Sequence, residues 1–200
     1  MIDIEEKKRL FDGVFARKKD DPEDWGATAW NLRTAADVLF EAYGETYEPG
    51  GEPVQPQNQD LDSPASMLYG CAMENMIKGY LIRMHGGFEQ ARAANQCAWD
   101  RHQISKLAVA TGIPVSREQE LLLRSLEAFI VWAGRYPISM KRDQFTLPKQ
   151  FQSGDHITPT EIRSDGVEIL QPFYKQLEDE VFADLRKSMG DWNLTPAPQA

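Results

Sequence analysis

Cysteine is scarce in this sequence, with only Cys71 and Cys97 in 200 residues. Two thiols in a chain of that length do not make a disulfide scaffold, so nothing demands an oxidising compartment. Cys71 falls inside an apolar run, where a free thiol acts as a small hydrophobe. Long hydrophobic stretches are missing as well. No run approaches the roughly 20 apolar residues that span a bilayer. The opening Met1-Ile2-Asp3-Ile4-Glu5-Glu6-Lys7 lacks the basic and then apolar order of a signal peptide. The expectation is a cytoplasmic protein with no membrane association. Positive charge is also in short supply, at 22 Lys and Arg against 31 Asp and Glu, for a net −9. A field of that sign repels phosphate backbones, which disfavours non-specific nucleic-acid binding by the surface at large. A local basic patch is still allowed.

The usual catalytic signatures are absent too. There is no Gly-x-Gly-x-x-Gly, P-loop or Gly-x-Ser-x-Gly, so phosphate cradles and serine hydrolases have no support. Cys97 and His102 stand five apart with no second close pair, which is no zinc spacing. Neither a metal nor a cofactor is expected.

What remains is a helical pattern. Residues 3–19 carry Ile4, Leu10, Phe11, Val14 and Phe15 among charges, giving an N-terminal helix or arm over 1–23 that Asp20-Asp21-Pro22 stops. A stronger helix is predicted from about Asp24 to Tyr43. There Leu32, Ala35, Ala36 and Leu39 share one face, and Arg33, Asp37 and Glu41 share the other. Residues 44–61 hold three glycines and three prolines and read as a mobile surface loop. Asp62-Ser63-Pro64 starts the next helix, which runs to about Met84 and ends at Gly86-Gly87. It is apolar round most of its circumference and is therefore the expected central helix. A short helix follows over about His102–Thr111. Ser116 with Gln119 forms a capping box for another, which buries Leu122, Leu126, Phe129 and Ile130 and ends at Gly134. Residues 135–158 read as irregular. A last helix covers about Thr160–Met189, with Pro172 as a kink or as its first turn, and 190–200 reads as a flexible tail. The fold class is all-α: one helical domain over 24–189, an up-down bundle of four core helices with N- and C-terminal helices added.

Three segments carry a family resemblance. Ala72-Met73-Glu74-Asn75-Met76-Ile77-Lys78-Gly79-Tyr80-Leu81 resembles the second helix of HEPN-like domains. Phe129-Ile130-Val131-Trp132-Ala133-Gly134-Arg135-Tyr136-Pro137 is similar to the end of their later core helix. His102-Gln103-Ile104-Ser105-Lys106-Leu107 looks like the helix between, with Gln103 where Asp is commoner. Order and spacing agree over roughly 25–140. The resemblance implies a HEPN-like bundle and a homodimer. It further implies binding of a nucleotide, RNA or an antitoxin-type protein partner, in a toxin-antitoxin or defence setting. Cleaving members of the family place a histidine four to six residues after an arginine. In this chain those offsets from Arg135 hold Ser139, Met140 and Lys141, and no other arginine has such a histidine. The expected function is thus a catalytically degenerate binding module. The alternatives are a ribonuclease with a non-standard site, or a purely structural dimerising bundle.

Candidate site residues follow from the helix faces. Glu74, Lys78 and His85 fall within about 40° of one another on the central helix. That seam is either a solvent edge with a Glu–Lys pair or a site lining in which Glu74 holds an arginine. Asn75 shares a face with Leu68, Ala72, Gly79 and Ile82, so it points inward and must bond something, because an unpaired buried amide costs about 1–3 kcal/mol. Its expected partner is Arg135 or the backbone after it. Arg124, Arg135, Tyr136 and Lys141 belong to the one locally basic stretch, which suits an anion. Weak catalytic candidates are Arg135, His102 and Glu74.

Overall fold

The computed structural model describes residues 3–44, 62–133 and 164–189, and among these every regular element is helical. Helix α1 spans Ile4–Asp20 and α2 spans Pro22–Gly44. The corner between them is closed twice. Asp21 accepts the Glu23 N–H at 2.9 Å with Pro22 in the first helical position, and the Trp25 indole donates to the Lys19 carbonyl at 3.0 Å. Helix α3 is Asp62–His85. It ends as the paired glycines require: Gly86 has φ 75°, and the Gly87 N–H donates back to the Ile82 carbonyl at 3.0 Å.

Helix α4, Phe88–Asp100, was not anticipated. Its apolar stripe is thin, with only Ala91 and Trp99 fully buried, so the periodic signal is weak. Asp20 at the end of α1 accepts the Phe88 N–H at 2.9 Å, which satisfies a first-turn donor of α4 from another helix. Helix α5 is Ile104–Ala110, so the helix expected from His102 starts two residues later. The reason is backbone: His102 has φ 56°, which no right-handed helix accepts.

Helix α6, Arg117–Ala128, has the expected capping box, Ser116 and Gln119 bonding each other's backbone at 3.1 and 3.0 Å. It continues into a π-helical turn, Phe129–Ala133. Helix α7, Ser164–Val181, carries Pro172 within it, and α8 is Ala183–Met189. The break in the C-terminal helix thus falls at Phe182 rather than at Pro172.

The core is built round α3, whose Tyr69, Met73, Met76, Ile77, Leu81 and Ile82 are all at or below 1% exposure. Helices α2, α4, α5, α6 and α7 all pack on it. These helices cover most of its apolar circumference, and Met84 near its C-terminal end is left half exposed. Helices α2 and α3 approach closely, since a Cβ on Gly79 would stand 3.0 Å from the Pro22 carbonyl. No described helix is long and apolar enough to cross a membrane.

Helix α2 departs from its expected faces at two positions. Ala35 is exposed, while Arg33, expected on the polar face, lies half-buried with its guanidinium 4.7 Å above the Tyr174 ring and donating to Gln171 at 2.6 Å. Ala36 is fully buried as expected, and Ala29 is fully buried with it. Small residues at 29 and 36 let α2 approach α3 closely, and the Arg33 stem then fills the gap towards α7.

Candidate functional site

The central helix carries two charged side chains into the core. Glu74 is 5% exposed and Lys78 8%, and they pair across one helical turn at 2.5 Å. Of the two readings of this seam, the solvent edge does not hold, since both charges are buried. His85, grouped with them by its angle, lies apart at the half-buried end of α3.

Two neighbours make this ion pair tenable in a low-dielectric setting. Lys78 Nζ sits 4.9 Å from the centroid of the buried Trp99 ring, a cation–π contact. Glu74 receives a third group from outside its helix: both carboxylate oxygens are 3.0 Å from His102 Nδ1. An ionised carboxylate only accepts, so Nδ1 carries the hydrogen and Nε2 is left facing away. The His102 side chain is about half exposed. The partner of Glu74 is thus a lysine and a histidine, where the sequence suggested an arginine.

Backbone geometry delivers His102 to this place. Helix α4 closes with the Gln103 N–H donating to the Ala98 carbonyl at 2.9 Å, which puts His102 at the left-handed position just beyond the helix end. Glycine is the usual occupant there, and a side chain costs roughly 1–2 kcal/mol. A histidine kept in that position, with its ring held by a buried carboxylate, is strain of the type that collects at functional sites. Next to it, Gln103 Oε1 is buried without a hydrogen-bond partner.

The other candidates separate from this cluster. Asn75 is half-buried, and its Nδ2 donates to the Cys71 carbonyl of its own helix at 2.7 Å. It faces a pocket beside Trp25 and Phe88. Arg124 pairs with Glu120 one turn earlier on α6, both half-buried. Arg135, Tyr136 and Lys141 lie outside the described residues, as do nearly all of the 44–61 loop, the 135–158 segment and the 190–200 tail. Among the described residues no group of three His, Cys, Asp or Glu side chains could hold a metal ion.

Two further polar groupings were not read from the sequence. Glu127 of α6 accepts both the backbone N–H and the hydroxyl of Ser105, at 2.8 and 2.6 Å, so it caps the first turn of α5 from another helix. Burial pushes its carboxyl above the ordinary glutamate range, against the opposing pull of those hydrogen bonds and of Arg124 and Lys106. Beside Arg33, the Tyr69 and Tyr174 hydroxyls are buried without hydrogen-bond partners. Burial drives Tyr69 up to about 12 and Tyr174 upward as well. Both pairings join residues 22 or more apart in sequence, where periodicity is blind.

Compared with known proteins, the chain matches no protein-family model, no curated protein and no solved structure.

Proposed function

We propose that this chain is a HEPN-like helical module that binds a phosphate-bearing ligand, a nucleotide or RNA, without cleaving it. The observation that carries the reading is His102, held by buried Glu74 through Nδ1 with its other nitrogen outward. A fixed imidazole of this kind donates to a phosphate oxygen when protonated and accepts from a ribose hydroxyl when neutral. The homodimer and the toxin-antitoxin or defence setting belong to the same reading and rest on the motif resemblance alone.

Calorimetric titration of a nucleoside monophosphate and a short single-stranded RNA, in EDTA, tests it. Hydrogen bonds to charged groups contribute about 1.5–3 kcal/mol, so His102→Ala should weaken binding by about tenfold or more. Unchanged affinity in that variant would remove His102 from the site and the reading with it.

The same dyad supports a second reading, ribonuclease action. A carboxylate-oriented imidazole can take the 2′-hydroxyl proton, a step that typically contributes 10²–10⁴-fold. Lys78, which shares the Glu74 carboxylate with His102, is buried and committed to that carboxylate and to the Trp99 face, so it is not free to steady a phosphate. Incubation of a mixed-sequence RNA with EDTA is expected to show no cleavage. Robust cleavage lost in both His102→Ala and Arg135→Ala would put the ribonuclease first.

A further inference from the structure

A pocket of about 450 Å³ opens where α1, α2, α3 and α4 meet, within the size range of small-molecule sites. Its walls are aromatic, formed by Phe15, Trp25 and Phe88. Trp25 and Phe88 lie near-parallel with centroids 6.0 Å apart and planes 26° apart. Phe15 is 65% exposed, so the pocket leaves a large ring in water at its mouth.

Helix α3 contributes Asn75 to this pocket. Because a carbonyl accepts only from the NH₂ side, the bond to the Cys71 carbonyl fixes which way the amide points. Its second N–H and its Oδ1 have no partner among the described residues, so one donor and one acceptor stand side by side. The rim cations are paired: Lys18 with Asp24 at 3.4 Å, and Lys19 with Glu89 at 2.7 Å, the Lys19 ammonium also lying 5.0 Å from the centroid of the Phe88 ring, which leaves Trp25 and Phe15 as the open aromatic faces. The pocket therefore offers flat aromatic surface and a donor–acceptor edge with no uncompensated charge. That combination selects a neutral planar heterocycle over an anion.

We infer that this pocket takes a nucleobase, stacked against its aromatic walls and read at one edge by the Asn75 amide. Adenine is the base whose edge an asparagine amide engages with two hydrogen bonds, and aromatic walls hold any base by its π-face. The base arrives on a free nucleoside or as an unpaired base of single-stranded RNA; both present the same ring. The inference extends the ligand-binding reading but shares no residue with the Glu74–His102 dyad. Trp99 joins the two regions, since it meets Trp25 and Phe88 edge-on at 6.1 and 5.5 Å and carries Lys78 on its face.

The experiment is a titration of the full chain with adenosine, ribose 5-phosphate and a hexa-adenylate RNA, followed by NMR at the Trp25 indole N–H and the Asn75 side chain. Adenosine and the RNA should move both signals, and ribose 5-phosphate should move neither. Tighter binding of the RNA than of adenosine identifies a strand as the source of the base, and equal binding identifies a free nucleoside. Asn75→Ala and Phe15→Ala should each weaken adenosine roughly tenfold, while His102→Ala leaves it unchanged. Asn75 bonds only its own helix and Phe15 is exposed, so both variants should keep the wild-type circular dichroism spectrum. Adenosine affinity unaltered in both variants overturns the pocket, as does a response to ribose 5-phosphate equal to that for adenosine. If His102→Ala weakens the nucleotide while no base moves the pocket signals, the pocket falls and the dyad reading stands.

Discussion

Replacing Glu74 by leucine should be among the most damaging single changes in this protein, and the reason is the lysine left behind. Glu74 and Lys78 are 5% and 8% exposed. Their attraction offsets desolvation only while both are present. Removing the carboxylate strands a buried ammonium whose remaining neighbour is the Trp99 face at 4.9 Å. Breaking a buried pair on one side costs about 3–5 kcal/mol. For a domain near 200 residues each kcal/mol moves the melting temperature by about 2–4 °C, so the loss should be of order 10 °C. Lys78→Met is milder, because Glu74 keeps His102 at 3.0 Å. In the double variant Glu74→Leu/Lys78→Met no charge is stranded, and well-packed apolar replacements of buried pairs are often neutral or better. The assay is urea unfolding of all four proteins at pH 7. A double variant more stable than Glu74→Leu by at least about 2 kcal/mol is the expected result. Additivity within about 0.5 kcal/mol would mean the two side chains are not coupled, and the buried-pair description would be wrong.

Other consequences can be checked on the same apparatus. The carboxyl of Glu127 is raised above its ordinary range by burial, so the native state holds its proton to higher pH than the unfolded chain does. Stability therefore falls as pH rises from the ordinary glutamate range through the native value. Glu127→Gln keeps an acceptor for Ser105 and should flatten that slope; a slope identical to wild type in urea midpoints across this window would contradict the assignment. Pro172 lies exposed inside α7, where it removes one backbone hydrogen bond. Pro172→Ala should therefore stabilise the fold by about 1–2 kcal/mol after the added freedom of the unfolded chain is subtracted, and so raise the melting temperature. A lower melting temperature would show that the proline fits α7 better than a continuous helix does.

Local chemistry was readable and long-range placement was not. The Ser116–Gln119 capping box and the Gly86-Gly87 stop act within a few residues, and both appear where the sequence puts them. Glu74, Lys78 and His102 were visible as residue types. Their meeting was not, because His102 is 28 positions from Glu74 and reaches it only through a left-handed turn that a helical reading of His102–Thr111 hides. Helix α4 was missed because its apolar stripe is thin, although its alanines and its Glu, Gln and Arg favour a helix. Arg33 was assigned to the polar face of α2 on angle alone. Its guanidinium is instead held by Tyr174 and Gln171 of α7, more than 130 residues along the chain. The all-helical class was legible because it depends on periodicity summed over many turns.

The direct test of the central claim is His102→Gly, measured for stability and for nucleoside monophosphate binding in the same preparation. Glycine is at ease in the left-handed backbone at φ 56°, and Glu74 retains Lys78. If His102 is there to meet a ligand, the melting temperature should hold or rise while affinity falls by about tenfold or more. A falling melting temperature with binding intact would make His102 a structural partner of Glu74 and nothing more.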